Sequence, residues 1–221
     1  EEENTENVES SEAASDSEED LFTSEEVDEF SDDTAEIQSF DYESSNRSVS
    51  LPNEYIKIFH LDAGRKYFSV DQIKAIIDTL SSNGYNYMEL AVGNDALRFL
   101  LDDMSVTVGG TTYSSENVKT GIQAGNKAYY NAGSVNELSQ DEMDSIISYA
   151  NKNGISIIPL LNSPGHMDAI IDCMESKELG MSNVAYNGSA RTINVANETA
   201  VNFTTALIKK YVEYFEGKGC K

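Results

Sequence analysis

The stretch ISIIPLLNSPGH, residues 155–166, decides the fold of this chain. It begins as an apolar run that predicts a buried strand, and it ends in Asn, Ser, Pro, Gly and His. Polar residues at the carboxyl end of a buried strand are typical of α/β barrels, which keep their functional groups at that rim. Two earlier apolar strands end in the same way, and the polar residues that follow them are Asp62, Arg65, Asn94 and Asp95. Three strands that deliver polar side chains to one rim predict a binding site for a hydroxyl-rich ligand.

The beginnings of two helices between these strands are marked in the sequence. Ser69 and Gln72 have the spacing of a capping box, and an apolar stripe of helical period follows them. Ser139 and Glu142 repeat the pattern. Two later helices are predicted, one ending near Gly180 and one over residues 198–216.

The alternation of strands and helices predicts parallel βαβ units. The predicted strands are 55–61, 85–92 and 155–161. Residues 93–138 are predicted to be a long excursion, with short strands around 105–108 and 111–113. A closed barrel needs eight strands, whereas only three complete strand-helix units are present and a fourth strand is expected to begin at Cys220. The chain is therefore interpreted as the N-terminal part of a larger barrel.

Acidic residues are concentrated at the N-terminus. Residues 1–46 contain 19 of the 39 Asp and Glu residues and no Lys or Arg, whereas the rest of the chain has 20 acidic and 15 basic residues. Such a segment cannot bury enough apolar surface to offset its ordering entropy. Residues 1–50 are therefore predicted to be a disordered acidic linker or tail, and residues 51–221 a folded domain. The acidic balance disfavours nucleic acid as a partner, and no apolar run is long enough to span a membrane.

Six polar residues on the predicted rim are candidates for the binding site. The substrate-binding candidates are Arg65, Asp95 and His166, and the supporting candidates are Asp62, Asn94 and Asn162. An Arg guanidinium can donate paired hydrogen bonds to ligand hydroxyls while a carboxylate orients it. Pro164 and Gly165 constrain the backbone before His166, which holds its imidazole at a fixed angle. The alternative for each residue is a structural role in an ion pair, cap or turn. The sequence contains no phosphate loop, dinucleotide fingerprint or metal-ligand spacing.

Several co-linear motifs resemble those of the family-20 glycoside hydrolases, the β-N-acetylhexosaminidases. The motifs are LDAGRKYF (61–68), VGNDALRF (92–99), NSPGHMD (162–168) and GSARTI (188–193). The resemblance covers about residues 54–221, and it is greatest to exo-β-N-acetylglucosaminidases from the surface of Gram-positive bacteria. It implies a TIM (β/α)8 barrel, of which this chain would hold about three βα units and end before the fourth strand.

The resemblance also implies roles for the rim residues. The family's Arg after the first strand binds hydroxyls of the terminal N-acetyl sugar and corresponds to Arg65. The family's His after the third strand corresponds to His166. The carboxylate that supports this His corresponds to Asp95 or, alternatively, to position 94, where Asn94 replaces the acid common in the family. Asn162 likewise replaces an Asp that is often found in the family.

The activity that the resemblance implies is hydrolysis of terminal non-reducing β-linked N-acetylglucosamine or N-acetylgalactosamine from glycans. Catalysis in the family is substrate-assisted and retaining, and it needs no cofactor or metal. The family's catalytic Asp-Glu pair follows the fourth strand and is expected beyond Lys221. The resemblance therefore implies no catalytic residue within this chain, and an inactive fragment.

The resemblance places the protein outside the bacterial cell, secreted or attached to the cell wall through regions that this sequence does not include. Two alternatives remain open at the sequence level. One is a non-catalytic carbohydrate-binding or adhesion module. The other is a different TIM-barrel enzyme, such as an aldolase-like lyase, which would need a Lys or metal ligands at the rim.

Overall fold

The computed structural model describes residues 56–221, so the predicted acidic linker over residues 1–50 lies outside the described residues. The strands are β1 (Ile58–Asp62), β2 (Tyr87–Asn94), β3 (Ala96–Leu97), β4 (Val106–Val108), β5 (Thr111–Tyr113) and β6 (Ser156–Leu161). The helices are α1 (Val70–Ser82), α2 (Ser115–Tyr130), α3 (Gln140–Lys152), α4 (Asp168–Glu175) and α5 (Glu198–Gly217).

The main sheet has β2 at its centre, with β1 on one side and β6 on the other, and both neighbours run parallel to β2. The three predicted parallel strands are therefore confirmed. Two of them end later than predicted, β1 at Asp62 and β2 at Asn94. Because parallel strands share one carboxyl edge, this extension carries both residues to the same rim as the end of β6. The short strand β3 folds back antiparallel onto β2, directly after Asp95.

The helices α1 and α3 begin as predicted. Ser69 forms a complete capping box with Gln72, and Ser139 forms one with Glu142. Their inward stripes are buried and consist of Ile73, Ile77 and Leu80 in α1 and Met143, Ile146, Ile147 and Ala150 in α3. These side chains and fully buried residues of the central strands, such as Leu90, form one continuous core.

The excursion between β2 and α3 contains a helix that the sequence analysis did not predict. The two predicted short strands are present as β4 and β5, which pair antiparallel, and the 16-residue helix α2 follows them. It packs closely on α4 because Gly121 and Gly125 have no side chains. A Cβ atom on Gly125 would lie 2.6 Å from the carbonyl oxygen of Ala169.

One helix boundary differs from the prediction, and the expected fourth strand is not tested. The helix α4 ends at Glu175 rather than near Gly180, because Ser176 has an extended backbone. The chain then folds back, and the N–H of Met181 donates to the carbonyl oxygen of Met174 at 2.9 Å. The fourth strand expected to begin at Cys220 stays a prediction, because residues 220–221 are too few to form one. The N–H of Lys221 donates to the carbonyl oxygen of Ile157 in β6 at 3.1 Å.

Candidate functional site

Arg65, Asp95 and His166 come from three different strand ends and form one cluster. Arg65 Nε donates to Asp95 Oδ2 at 2.7 Å, and His166 Nδ1 lies 2.8 Å from Asp95 Oδ1. The Asp95 side chain is 1% exposed, whereas those of Arg65 and His166 are 44% and 47% exposed. The structure thus brings the three substrate-binding candidates together, with a buried carboxylate behind two accessible groups.

The contacts of His166 Nδ1 favour one of the two tautomers that a neutral imidazole can adopt. Nδ1 lies 2.8 Å from the Asp95 carboxylate and 3.1 Å from Arg65 Nη2. An ionised carboxylate and a guanidinium compete for this atom, because a carboxylate only accepts and a guanidinium only donates. The shorter contact to the carboxylate favours a proton on Nδ1 that is donated to Asp95. The Nε2 atom of the neutral ring is then an acceptor.

The surroundings of Asp95 keep its carboxylate ionised. Burial alone would raise the pKa of Asp95, but hydrogen bonds from Arg65, His166 and Tyr129 outweigh it and lower the pKa to about 2. The same ion pair raises the pKa of Arg65. Both partners therefore remain charged at neutral pH, and the guanidinium keeps a fixed orientation.

The backbone at the site is in the left-handed region at two residues that are not glycine. Asp95 has φ 62° and His166 has φ 56°. The N–H of Asp95 donates to the carbonyl oxygen of His166 at 2.7 Å. The N–H of Ala169 donates to the carbonyl oxygen of Asp95 at 2.9 Å. Such conformations cost free energy and persist where neighbouring contacts determine them, which is common at functional sites.

The three supporting candidates form a second chain of hydrogen bonds beneath the cluster. Asn162 Nδ2 donates to Asn94 Oδ1 at 2.7 Å, and Asn94 Nδ2 donates to Asp62 Oδ2 at 2.8 Å. Asp62 Oδ1 in turn accepts from the backbone N–H groups of Gly64 and Arg65. These hydrogen bonds join the ends of β6, β2 and β1 in that order. The two Asn residues that depart from the family pattern therefore fit this network, since each donates an amide hydrogen.

Two site residues that were not predicted from the sequence, Tyr129 and Tyr130, lie at the end of α2. The Tyr129 hydroxyl donates to Asp95 Oδ2 at 2.9 Å. The Tyr130 hydroxyl lies within hydrogen-bond distance of the carbonyl oxygens of Gly64, at 2.8 Å, and Arg65. The sequence signal for α2 is limited to its N-cap at Ser114, because its buried face is poor in large apolar residues, and nothing in the sequence indicates that its last turn reaches the rim.

Asp168 is a second carboxyl group close to the cluster. Its Oδ1 lies 3.7 Å from Arg191 Nε, and its buried Oδ2 has no hydrogen-bond partner among residues 56–221. Burial is the main cause that raises the pKa of Asp168, and the neighbouring Asp95 raises it further. Arg191 belongs to the fourth motif, and its carbonyl oxygen accepts from the N–H of Met167, so this motif packs against the loop that carries His166.

The described residues contain neither a candidate metal site nor a candidate membrane-spanning helix. No group of three or more His, Cys, Asp or Glu side chains in residues 56–221 is arranged to hold a metal ion. None of the helices in this part of the chain is long and apolar enough to cross a membrane.

Comparison with known proteins identifies the family. The sequence profile described as Glycosyl hydrolase family 20, catalytic domain, matches residues 57–220. The chain belongs to this family. Its structure is similar to two structures of the pneumococcal exo-β-D-N-acetylglucosaminidase StrH, each with 46% sequence identity and a TM-score of 0.70. The match covers 74% of this chain and 40% of each StrH chain, so the family-20 chain described here spans about two fifths of these relatives.

A more distant family-20 structure shows the same fold. The N-acetyl-β-hexosaminidase of Streptomyces plicatus is 20% identical, with a TM-score of 0.54, and the match covers 74% of this chain and 31% of that one. Together these matches confirm the predicted family and the TIM-barrel class, of which β1, β2 and β6 are three parallel strands. The binding roles of Arg65, Asp95 and His166 stay predictions.

Proposed function

We propose that this family-20 chain contributes three βα units to a β-N-acetylhexosaminidase barrel and that Arg65, Asp95 and His166 bind the terminal non-reducing N-acetylhexosamine of a glycan. The observation that carries the proposal is the cluster itself, in which three strand ends hold one buried carboxylate between a guanidinium and an imidazole. Asp62, Asn94 and Asn162 support the cluster by fixing the strand ends on which it stands.

The chemistry of the cluster suits a hydroxyl-rich ligand. Arg65 uses Nε for Asp95, so the outer edge of its guanidinium remains available to donate to sugar oxygens. His166 offers the Nε2 acceptor of its neutral ring next to those donors. A donor edge and an acceptor a few ångströms apart match a sugar, whose hydroxyl groups both donate and accept hydrogen bonds.

The similarity to StrH supports N-glycans as the substrate class, because work on StrH describes N-glycan recognition and hydrolysis by that protein. It also supports release of β-linked N-acetylglucosamine, the activity for which StrH is named. Such glycans are displayed outside cells, so the proposal includes a secreted or cell-surface location, with any wall attachment made by regions outside this sequence.

Catalysis in the proposed enzyme is substrate-assisted, as the family's chemistry requires. The residues described here bind and orient the sugar, while the Asp-Glu pair of the family would come from a later strand. General acid catalysis contributes about 10²–10⁴ in rate. The 221-residue chain alone is therefore inactive in this proposal, and the unpaired strand edges of its partial barrel favour self-association.

The test measures binding and turnover with the chain itself. We expect N-acetylglucosamine to shift the NMR signals of the Arg65 and His166 side chains at millimolar concentration, with no hydrolysis of 4-nitrophenyl N-acetyl-β-D-glucosaminide. Arg65→Met should abolish the shift of the His166 signal, whereas Lys218→Met, which removes a cation paired with Asp144 away from the rim, should preserve both shifts. Turnover by the chain alone would contradict the proposed inactivity, and an unperturbed Arg65 signal would contradict the binding role.

The alternative of a non-catalytic carbohydrate-binding module gives the same binding result, so the reading frame beyond Lys221 discriminates the two. A further strand ending in Asp-Glu supports the hydrolase. A stop codon or an unrelated domain supports the binding module.

A further inference from the structure

We propose that the last turn of α2 is a brace for the Arg65–Asp95 ion pair, in which Tyr129 and Tyr130 are positioning residues and Arg98 holds Tyr130 in place. The inference rests on the proposed function, because it concerns the group that would bind the sugar. It goes beyond that function by giving a task to the excursion between β2 and α3.

The two tyrosines are adjacent in the chain but support opposite members of the ion pair. Tyr129 donates to Asp95 Oδ2, the same oxygen that accepts from Arg65 Nε. Tyr130 contacts the backbone carbonyl groups of Gly64 and Arg65 instead. Their rings meet edge to face, with centroids 4.7 Å apart. The Asp95 carboxylate and the backbone that carries Arg65 are therefore both held by one pair of adjacent side chains.

Arg98 supports Tyr130 from behind. Its guanidinium carbon lies 4.1 Å from the centre of the Tyr130 ring, and its Nη1 donates to the carbonyl oxygen of Asn136 at 2.6 Å. Arg98 is only 6% exposed, so the cation-π contact forms in a largely desolvated setting, where it is strongest. Although Arg98 follows the rim residues in sequence, its position under Tyr130 points to support rather than to ligand contact.

The helix that carries the tyrosines is itself attached to the site on two sides. Asn126, which is fully buried, accepts from the N–H of Leu97 at 2.9 Å and donates to its carbonyl oxygen at 2.8 Å. This pair of hydrogen bonds joins α2 to β3, two residues after Asp95. Gly125 gives α2 a close approach to Ala169 in α4, which follows the His166 loop. The brace therefore connects all three loops that form the cluster.

A brace of this kind has a clear energetic purpose. Arg65 lies in a loop and its side chain is 44% exposed, so it would otherwise lose considerable rotamer entropy when it binds a ligand. Tyr130 fixes the backbone of Arg65, and Tyr129 fixes its partner Asp95. The loss of rotamer entropy then occurs when the protein folds and not when the ligand binds. A preorganised donor binds more tightly for the same contacts.

The direct test observes the Arg65 Nε–H group by NMR in the 221-residue chain, which has only four Arg residues. Tyr130→Phe should increase the exchange rate of this proton with water by about fivefold, the factor expected for one lost hydrogen bond. Tyr149→Phe is the matched control, because it also removes one hydroxyl hydrogen bond, to Asp78 on the outer helices. Tyr149→Phe should lower thermal stability by a similar amount but leave the exchange rate of the Arg65 Nε–H proton unchanged.

An Arg65 exchange rate in Tyr130→Phe equal to that of the wild type would overturn the brace. If Tyr130→Phe fails to fold, Arg98→Lys replaces it, since this variant keeps the charge but loses the planar face against Tyr130, and the same acceleration is expected. Binding of N-acetylglucosamine is measured in parallel. A wild-type chain that does not bind the sugar defeats the proposed function, while the exchange comparison still decides whether the brace exists.

Discussion

The side-chain amide of Asn94 donates to Asp62 Oδ2 at 2.8 Å and so joins the ends of two neighbouring parallel strands without a second charge. Asn94 is buried, and its own carbonyl oxygen accepts from Asn162. The amide donates to a carboxylate on one side and accepts an amide hydrogen on the other, whereas an ionised carboxylate of the same size can only accept. The carboxylate common in the family at this position would have to be satisfied differently.

Asn94→Asp is therefore expected to destabilise the domain at neutral pH. The new carboxylate, buried at position 94, would face the partly exposed Asp62 carboxylate without a hydrogen to donate, and we expect a loss of about 1–3 kcal/mol in the free energy of unfolding. Chemical denaturation measures this loss. Asn202→Asp adds the same charge on the exposed face of α5 and should change stability little. Equal effects of the two variants would show that the amide network contributes nothing.

The ionisation of Asp95 predicts an acid-dependent stability. Its pKa in the folded protein is about 2, below the ordinary value of 3.8. The unfolded chain therefore binds the proton first as the pH falls, so the stabilisation is complete above about pH 4 and is lost as the pH approaches 2. Urea unfolding between these values should show a steeper loss of stability in the wild type than in Asp95→Asn. Parallel curves for the two proteins would refute the assignment.

Close packing of α2 on α4 predicts a strong effect of one added methyl group. In Gly125→Ala the new Cβ would lie 2.6 Å from the carbonyl oxygen and 2.7 Å from the Cα of Ala169, so backbone must move. We expect a loss of about 1–3 kcal/mol in stability, as is usual for overpacking. Gly217→Ala is the control, because its Cβ would have no atom within 4 Å. A neutral Gly125→Ala variant would mean that the two helices separate at no cost.

The tautomer of His166 is also predicted. At alkaline pH we expect the neutral ring to carry its proton on Nδ1, because this atom faces the Asp95 carboxylate at 2.8 Å. Long-range proton-nitrogen NMR reports the tautomer directly, and the chain has only one other histidine to assign. Asp95→Ala removes the acceptor and should restore the Nε2–H form common in water. A predominantly Nε2-protonated ring in the wild type would contradict the proposed acceptor role of Nε2.

The sequence predicted the parts of the fold whose signals are local. The capping boxes at Ser69 and Ser139 mark helix starts by a spacing of three residues, and both helices begin there. The three parallel strands are visible as apolar runs, as is typical of strands in parallel sheets. Of the three, β2 is buried over most of its length, whereas most of β1 is not buried here. Their ends were placed too early, since the last residues of β1 and β2 are polar and owe their strand conformation to neighbours rather than to their own propensity.

The helix α2 was not predicted, and the composition of its buried face explains why. Its buried face includes Gly121, Gly125 and Asn126, which lower the hydrophobic periodicity on which helix prediction depends. Those residues are present because α4 approaches closely and because the backbone of Leu97 needs hydrogen-bond partners. Tertiary contacts of this kind are invisible in a single sequence, so the two site tyrosines could not be found either.

The hydrogen bond from the N–H of Asp95 to the carbonyl oxygen of His166 has a consequence for protein engineering. The relative placement of carboxylate and imidazole is set by a main-chain link between two loops, each with a left-handed residue at the junction. Transplanting only the side chains onto another barrel would therefore not reproduce the arrangement. A designer who wants this pair must transfer both loops as one unit, together with their unusual backbone.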